Sequence, residues 1–388
     1  MNNSNKILIF TVFLLIVVGS LMIYSITSVV PSVLAKKGIT EFYYFKRHLF
    51  TVVIGFICML IVYLLKPSFI KKMAIPLLVF SFVLLILVFL PNIGVSAGGA
   101  RRWIKLWPST FQPSELVKLS MVIFLAKYMS MPGYRTDSFL SFAKPICIMV
   151  IFQVAILIQP DFGAAMSLAI LTITMLFISG IKLTYIASLA VVAIPAIIVL
   201  VMEPYRLKRV MAFLNPWEDP LRSGFQLVQS FIALGSGGLT GVGLGSSKQK
   251  LSYLPESHTD FIFSIVGEEF GFIGVVVLIS LFLILFIKGI SIANKAKDEF
   301  IYYLATGLTL MISLQALINF AVATGMVPTK GLPLPFISYG GSSLLVNMTA
   351  VGILLNISRE EQNRKVQDID QQFIVRRKAR RTFYAIKK

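Results

Sequence analysis

The chain has 388 residues, of which 57% are hydrophobic and 14% charged, with 36 Lys and Arg against 17 Asp and Glu and a formal net charge of +19. Soluble domains usually carry about 25% charged residues, and a mean hydropathy of +0.84 leaves too few polar side chains for a soluble surface or a disordered chain. The apolar runs are continuous rather than alternating, which argues against a porin-like barrel. No basic-aromatic module accompanies the charge, so the expected partners are anionic lipid head groups or a lipid-linked phosphate, with no nucleic acid.

A spanning helix needs about 20 apolar residues. Ten such runs follow one another between polar breaks: residues 6–30, 47–65, 73–91, 114–131, 142–158, 162–180, 183–202, 260–288, 300–325 and 341–357. No small-residue cleavage site follows the first, which reads as a retained span and not a signal peptide. Lys66, Lys71 and Lys72 flank Pro67, Gln159-Pro160-Asp161 forms a tight corner, and Lys288 to Asp298 is a short charged loop. Cys58 and Cys147 lie inside apolar runs and suit neither a disulfide nor a metal pair. The expected fold is an all-α polytopic membrane protein of about ten transmembrane helices. Residues 1–358 form the membrane domain, 203–259 a large extracellular loop between spans seven and eight, and 359–388 a basic cytoplasmic tail.

Ten spans put both termini on one side. With that side cytoplasmic, 21 of the 36 basic residues are inside, ten of them in the tail, and the bias has the sign the insertion rule demands. The outer cations fall into three clusters: Lys36 to Arg47, Arg101 to Lys118, and Arg206 to Lys250. Either long outer loops escape the rule, or these cations are used there.

The outer segments hold the unusual chemistry. The loop 203–259 carries Pro216-Trp217-Glu218-Asp219-Pro220, an amphipathic stretch from Phe225 to Leu234, and six glycines within 235–245. Such a glycine density does not make a packed helix, and with no Gly-Lys-Ser/Thr ending it is not a phosphate-binding P-loop. Asp260 stands where the loop enters the eighth span. Thr259 or Asp260 would serve as a helix N-cap, and a carboxylate at that apolar mouth would also be available for chemistry. Glu268 and Glu269 lie about two turns deeper and must face water, cations or protein. His258, beside Asp260, reads either as a proton shuttle or as a hydrogen-bonded neighbour.

Before the fourth span come Arg101 and Arg102, then Gln112-Pro113-Ser114-Glu115-Leu116-Val117-Lys118. Pro113 suits a first helical turn. Glu115 and Lys118 project from one face as an i,i+3 pair, ordinary if exposed, or able to keep a carboxylate such as Asp260 ionised at the membrane interface. Before the tenth span, three prolines within 328–335 stiffen Pro328-Thr329-Lys330-Gly331, and Ser338-Tyr339-Gly340-Gly341-Ser342-Ser343 opens the helix. Backbone N–H groups at such a start favour anions; close packing by small residues would read the same.

Five motifs in order carry a resemblance over nearly the whole chain: Gly99-Ala100-Arg101-Arg102-Trp103, the run 112–118, Gln159-Pro160-Asp161-Phe162-Gly163, Pro255-Glu256-Ser257-His258-Thr259-Asp260-Phe261-Ile262-Phe263, and 328–343. The sequence resembles the SEDS family of bacterial membrane proteins (shape, elongation, division and sporulation), most closely its division branch. An elongation or sporulation role is the near alternative.

The resemblance implies a peptidoglycan glycosyltransferase that polymerises lipid II at the outer face of the cytoplasmic membrane and works with a class B penicillin-binding protein and other division membrane proteins. Asp260 matches the family's catalytic aspartate and takes the role of base on the acceptor sugar's 4-hydroxyl, a task typically contributing about 10²–10⁴-fold. Arg101, Arg102, Lys118 and Lys330 are the candidates for the departing pyrophosphate, with Ser338 and Ser342 as further substrate contacts and Glu115, His258 and Glu269 in support. No cofactor is assigned. A Mg²⁺ or Mn²⁺ ion would suit a pyrophosphate leaving group, but no dedicated metal-ligand spacing is present. A lipid II flippase would use Glu268, Glu269, Gln153, Gln315, Asn319 and Asn347 as a polar path and would survive Asp260→Asn. A non-enzymatic division scaffold would tolerate Arg101→Ala and Lys118→Ala.

Overall fold

A computed structural model of the chain describes residues 3–27, 42–97, 100–106, 109–250, 254–255, 258–329 and 331–386. The described residues form helices α1 (Asn3–Thr27), α2 (Tyr43–Leu64), α3 (Pro67–Leu87), α4 (Pro113–Met129), α5 (Phe139–Ile158), α6 (Phe162–Ile178), α7 (Leu183–Val201), α8 (Pro204–Leu214), α9 (Phe225–Ser236), α10 (Ile262–Ala293), α11 (Glu299–Ala323) and α12 (Gly341–Ile386). Strands β1 (Gly94–Ala97), β2 (Ala100–Leu106) and β3 (Ser109–Phe111) form one antiparallel sheet in that order.

Each of the ten apolar runs is a helix. Seven of the described helices are long and apolar enough to cross a membrane: α1, α2, α3, α5, α10, α11 and the first half of α12. The protein is a multi-pass membrane protein. Apolar side chains such as Leu64, Val79, Val192 and Phe272 remain exposed on the outer faces, as a hydrocarbon solvent allows and water does not. The centre is formed by α4, α11 and α12. Helix α4 packs on α3 and α11, α12 runs along α2, and α10 pairs with α11. Helix α4 is buried almost all round, including Ser114, Glu115, Lys118 and Ser120. Helix α7 lies at the margin with most of its described side chains exposed.

Hydrocarbon offers no hydrogen bonds, so polar side chains join the helices. Asn356 of α12 donates to the carbonyls of Tyr63 (2.7 Å) and Leu65 (2.5 Å), satisfying the C-terminal end of α2. Ser81 of α3 and Ser120 of α4 share a hydrogen bond of 2.9 Å.

The structure adds detail to the sequence reading and corrects it at one point. Residues 94–97, 100–106 and 109–111 form a sheet. The loop 203–259 contains two helices, α8 and α9. Neither Thr259 nor Asp260 is the N-cap of α10: Phe261 holds that position, without a side-chain cap. Helix α12 does not stop near 357 but continues through the basic segment to Ile386; the side chains from residue 364 on lie outside the described ones, as do Lys36, Lys37 and the Arg206 side chain.

Helix α10 is broken at Gly271, whose φ of 66° is open to glycine and whose Cβ would stand 2.3 Å from the Gly241 nitrogen. The glycine segment after α9 fills the break. Val242 and Gly243 donate to the carbonyls of Glu268 (3.0 Å) and Glu269 (3.1 Å), while Phe272 and Ile273 donate to Gly238 (2.9 Å) and Leu239 (3.2 Å). Irregular backbone is tolerated here because protein, not lipid, satisfies it.

Candidate active site

The segment 331–340 folds back into the protein, and Leu332, Leu334, Phe336 and Ile337 are buried within it. Phe336 adopts φ 65°, a left-handed conformation a large side chain keeps only where its surroundings enforce it. The enforcement comes from α1, where Gly19 lies so close that a Cβ would meet the Phe336 carbonyl oxygen at 2.4 Å.

This segment and the entry to α10 are tied together. The Ser338 hydroxyl donates to the Thr259 carbonyl (2.5 Å) and accepts from the Leu334 N–H (2.8 Å). The Tyr339 N–H donates to the His258 carbonyl (2.8 Å). The His258 ring lies 6.1 Å from Tyr44 and 5.9 Å from Tyr339. Asp260 is half-buried, and a Cβ on Gly331 would stand 3.4 Å from its Oδ2. The backbone preceding Leu332 therefore runs beside the carboxylate.

Lys118 is buried. Its Nζ lies 2.8 Å from Glu115 Oε1 and donates to Gln315 Oε1 at 2.6 Å. Glu115 Oε2 has no hydrogen-bond partner among the described residues. Gln315 donates to the Pro333 carbonyl (2.8 Å) and to Ser343 Oγ (3.1 Å). One turn further along α11, Asn319 donates to the carbonyls of Asp260 (2.8 Å) and Leu332 (2.9 Å). A helical turn advances about 6 Å over four residues, so adjacent turns of α11 carry the lysine ammonium and the backbone of the candidate base.

The network continues outward. The Gln112 N–H donates to Ser342 Oγ (2.7 Å), and its side chain donates to Asp161 Oδ2 (2.9 Å). Asp161 caps α6 through the Ala164 N–H. Burial pushes its carboxyl up, opposed by the Arg102 guanidinium. Arg102 donates to the carbonyls of Gln159 (3.2 Å) and Pro160 (2.5 Å). Arg101 points elsewhere. It is exposed, and its Nε donates to Ser96 at 3.3 Å, since successive side chains of a strand leave opposite faces.

Hydrogen bonds and ring contacts thus tie Lys118, Glu115, His258 and the Asp260 backbone to the segment 331–343, which carries Ser338 and Ser342, and Arg102 to the corner 159–161 that Gln112 joins to Ser342. The Ser338 and Ser342 hydroxyls are engaged by backbone groups of neighbouring segments. Glu269 belongs to a separate cluster: its Oε1 lies 3.1 Å from Lys250 Nζ, and the Ser25 hydroxyl donates to Oε1 and Oε2 at 2.7 and 3.0 Å. Glu268 accepts from the Ser247 hydroxyl and from the Lys248 N–H. Lys330 lies outside the described residues. Asp161, Gln112, Gln315 and Asn319 were not selected as site residues from sequence; Gln112 and Asp161 stand in motifs already singled out, whereas Gln315 and Asn319 sit in an apolar run with only their i,i+4 spacing as a signal. Among the described residues no three His, Cys, Asp or Glu side chains come together.

A family model described as "Cell cycle protein" and covering FtsW, RodA and SpoVE matches residues 5–363. The chain is 46% identical over 342 residues to the probable peptidoglycan glycosyltransferase FtsW of Geobacter sp. (strain M18), covering 88% of this chain and 92% of that one. It is 41% identical over 359 residues to stage V sporulation protein E of Bacillus subtilis (strain 168), covering 92% and 97%. Two solved structures are similar. One is a chain of a peptidoglycan synthase complex described as coordinating polymerization and crosslinking, with TM-score 0.73, 28% identity and coverage of 91% and 97%. The other is the rod shape determining protein RodA of Thermus thermophilus, with TM-score 0.65, 26% identity and coverage of 91% and 96%. The motifs that resembled SEDS proteins are therefore those of the chain's own family: it is a member of the FtsW/RodA/SpoVE cell cycle proteins.

Proposed function

We propose that the chain is the peptidoglycan glycosyltransferase of a division-type cell-wall synthase, polymerising lipid II into glycan strands and releasing undecaprenyl pyrophosphate. Relatives bearing the FtsW glycosyltransferase name are 40–46% identical over most of the chain, against 26% for the elongation protein RodA. The observation that carries the chemistry is the pair of adjacent α11 turns that hold Lys118 and the backbone of Asp260.

Asp260 takes the proton from the acceptor sugar's 4-hydroxyl. The oxygen displaces the α-linked pyrophosphate directly, inverting the configuration, so no second acid of the glycosidase kind is required. The leaving group's charge is met by cations near a low-dielectric boundary, where neutralisation is worth several kcal/mol against about 1 in bulk water. Arg101, exposed on the sheet, is suited to clamp phosphate oxygens bidentately. Lys118 supplies a deeper fixed charge, oriented by Glu115, and Lys330 a third. Ser338, Ser342 and His258 act chiefly by fixing the two segments around Asp260, and Glu269 props the loop that leads to it. The site faces the outside, both termini and the basic tail lie in the cytoplasm, the ten apolar helices all span, and a class B penicillin-binding protein crosslinks the product beside other division proteins.

The flippase reading loses its polar path, because Gln315, Asn319 and Asn347 are buried and donate to neighbouring backbone or hydroxyl groups. The test is polymerisation of lipid II by the purified chain with its penicillin-binding partner. Asp260→Asn is expected to lose about 10²–10⁴-fold in rate while still folding. Undiminished glycan from that variant removes the base, and absence of glycan from the wild-type complex returns the flippase.

A further inference from the structure

Asn319 is 1% exposed on α11, and a polar side chain that deep is costly unless hydrogen-bonded. Its amide nitrogen serves two carbonyls from different segments, Asp260 at 2.8 Å and Leu332 at 2.9 Å. Its Oδ1 has no hydrogen-bond partner among the described residues. With carbonyl acceptors on both sides the amide orientation is fixed, and the side chain works here purely as a donor. The first carbonyl belongs to the residue bearing the carboxylate. The second follows Gly331, whose Cβ position is 3.4 Å from that carboxylate.

We propose that Asn319 is a positioning residue for glycosyl transfer: by bridging the Asp260 and Leu332 carbonyls it sets where the Asp260 carboxylate stands against the Gly331 backbone and the Lys118–Gln315 pair one turn away. This rests on the reading of Asp260 as the base. Losing the donor leaves two carbonyls without their common partner, and they relax apart. A shift of about 1 Å in a reacting group is enough to cost on the order of 10²-fold in rate.

Three replacements separate positioning from stability. Asn319→Leu keeps the volume and removes the donor. Asn319→Asp keeps the shape, but burial against two carbonyls favours the neutral acid, which can donate to only one of them. Asn319→Gln keeps the amide. Lipid II polymerisation by the full chain in complex with its penicillin-binding partner is followed across pH, alongside thermal melting in detergent and Asp260→Asn in parallel. The expected result is a fall in kcat of about 10- to 100-fold for Asn319→Leu with KM for lipid II within about threefold. Asn319→Asp, with one donor left, keeps a rate between Asn319→Leu and wild type, and Asn319→Gln recovers part of the rate. The inference is overturned if Asn319→Leu and Asn319→Asp keep the wild-type kcat, or if the rate falls only in step with a lowered Tm and Asn319→Gln recovers none of it. Failure of both to accumulate as folded protein overturns it too, by assigning Asn319 to stability alone. An inactive Asp260→Asn beside fully active Asn319 variants breaks this inference only; a fully active Asp260→Asn breaks the base reading beneath it.

Discussion

Glu115–Lys118 and Glu269–Lys250 are both glutamate–lysine pairs whose side chains are at most 3% exposed, yet they are finished differently. In the second, the Ser25 hydroxyl reaches both carboxylate oxygens and also accepts from Lys250 Nζ at 3.1 Å, so α1, α10 and the glycine segment close over a satisfied cluster. In the first, one carboxylate oxygen has no partner among the described residues and the lysine is shared with Gln315. Burying an ion pair repays its desolvation only when the remaining lone pairs are also satisfied. The first pair therefore stands at a stability disadvantage that the second avoids, which fits a group kept for chemistry beside a group kept for architecture.

Breaking one partner of each pair should have the largest effect. Lys118→Ala leaves a buried, unpaired Glu115 and is expected to cost about 3–5 kcal/mol, seen as a lowered Tm, and to abolish polymerisation even in the folded fraction. Lys250→Ala should destabilise nearly as much, softened by Ser25, but its folded fraction should still polymerise lipid II. Equal activity per folded molecule in the two variants would erase the distinction.

Replacing both partners sharpens the contrast. A buried pair exchanged for apolar side chains of similar volume is often neutral or stabilising. Glu115→Leu with Lys118→Met, and Glu269→Leu with Lys250→Met, should each melt above the matching lysine-to-alanine variant. Only the second double variant should make glycan; activity in the first would make the α4 pair architectural as well. A smaller effect is expected from Ser25→Ala, which removes a hydrogen bond to a charged group worth about 1.5–3 kcal/mol and should lower Tm with little change in polymerisation rate. The smallest belongs to the Arg135–Asp137 pair, with side chains 72% and 52% exposed. Solvent screens it, and Arg135→Ala should leave Tm unmoved.

The helices were legible because continuous apolar runs of about 20 residues have one stable form in a bilayer, and each of the ten runs is a helix. Asp260, Glu115 and Lys118 were legible because charges beside apolar runs are rare enough to mark themselves. The sheet at 94–111 was not, because strands of four, seven and three residues among basic and glycine residues leave no alternation long enough to read. The continuation of α12 was missed because polar composition separates water from lipid and not helix from coil. Gln315 and Asn319 were noticed only as part of a polar path for the flippase alternative, since an amide in an apolar helix does not reveal which carbonyls it will meet.

Composition and charge placement alone determined that this chain lies in a membrane, where its helices run and which acid stands at the mouth of α10, because hydrophobic burial and the scarcity of intramembrane charge are properties of single segments. Only the tertiary structure decided that Lys118 is buried, that Lys250 finds Glu269 and Ser25, and that one helix holds both the lysine and the Asp260 backbone. Those outcomes depend on hydrogen bonds between segments up to 244 residues apart, and a donor's partner at such separation is chosen by packing geometry, which no local pattern encodes.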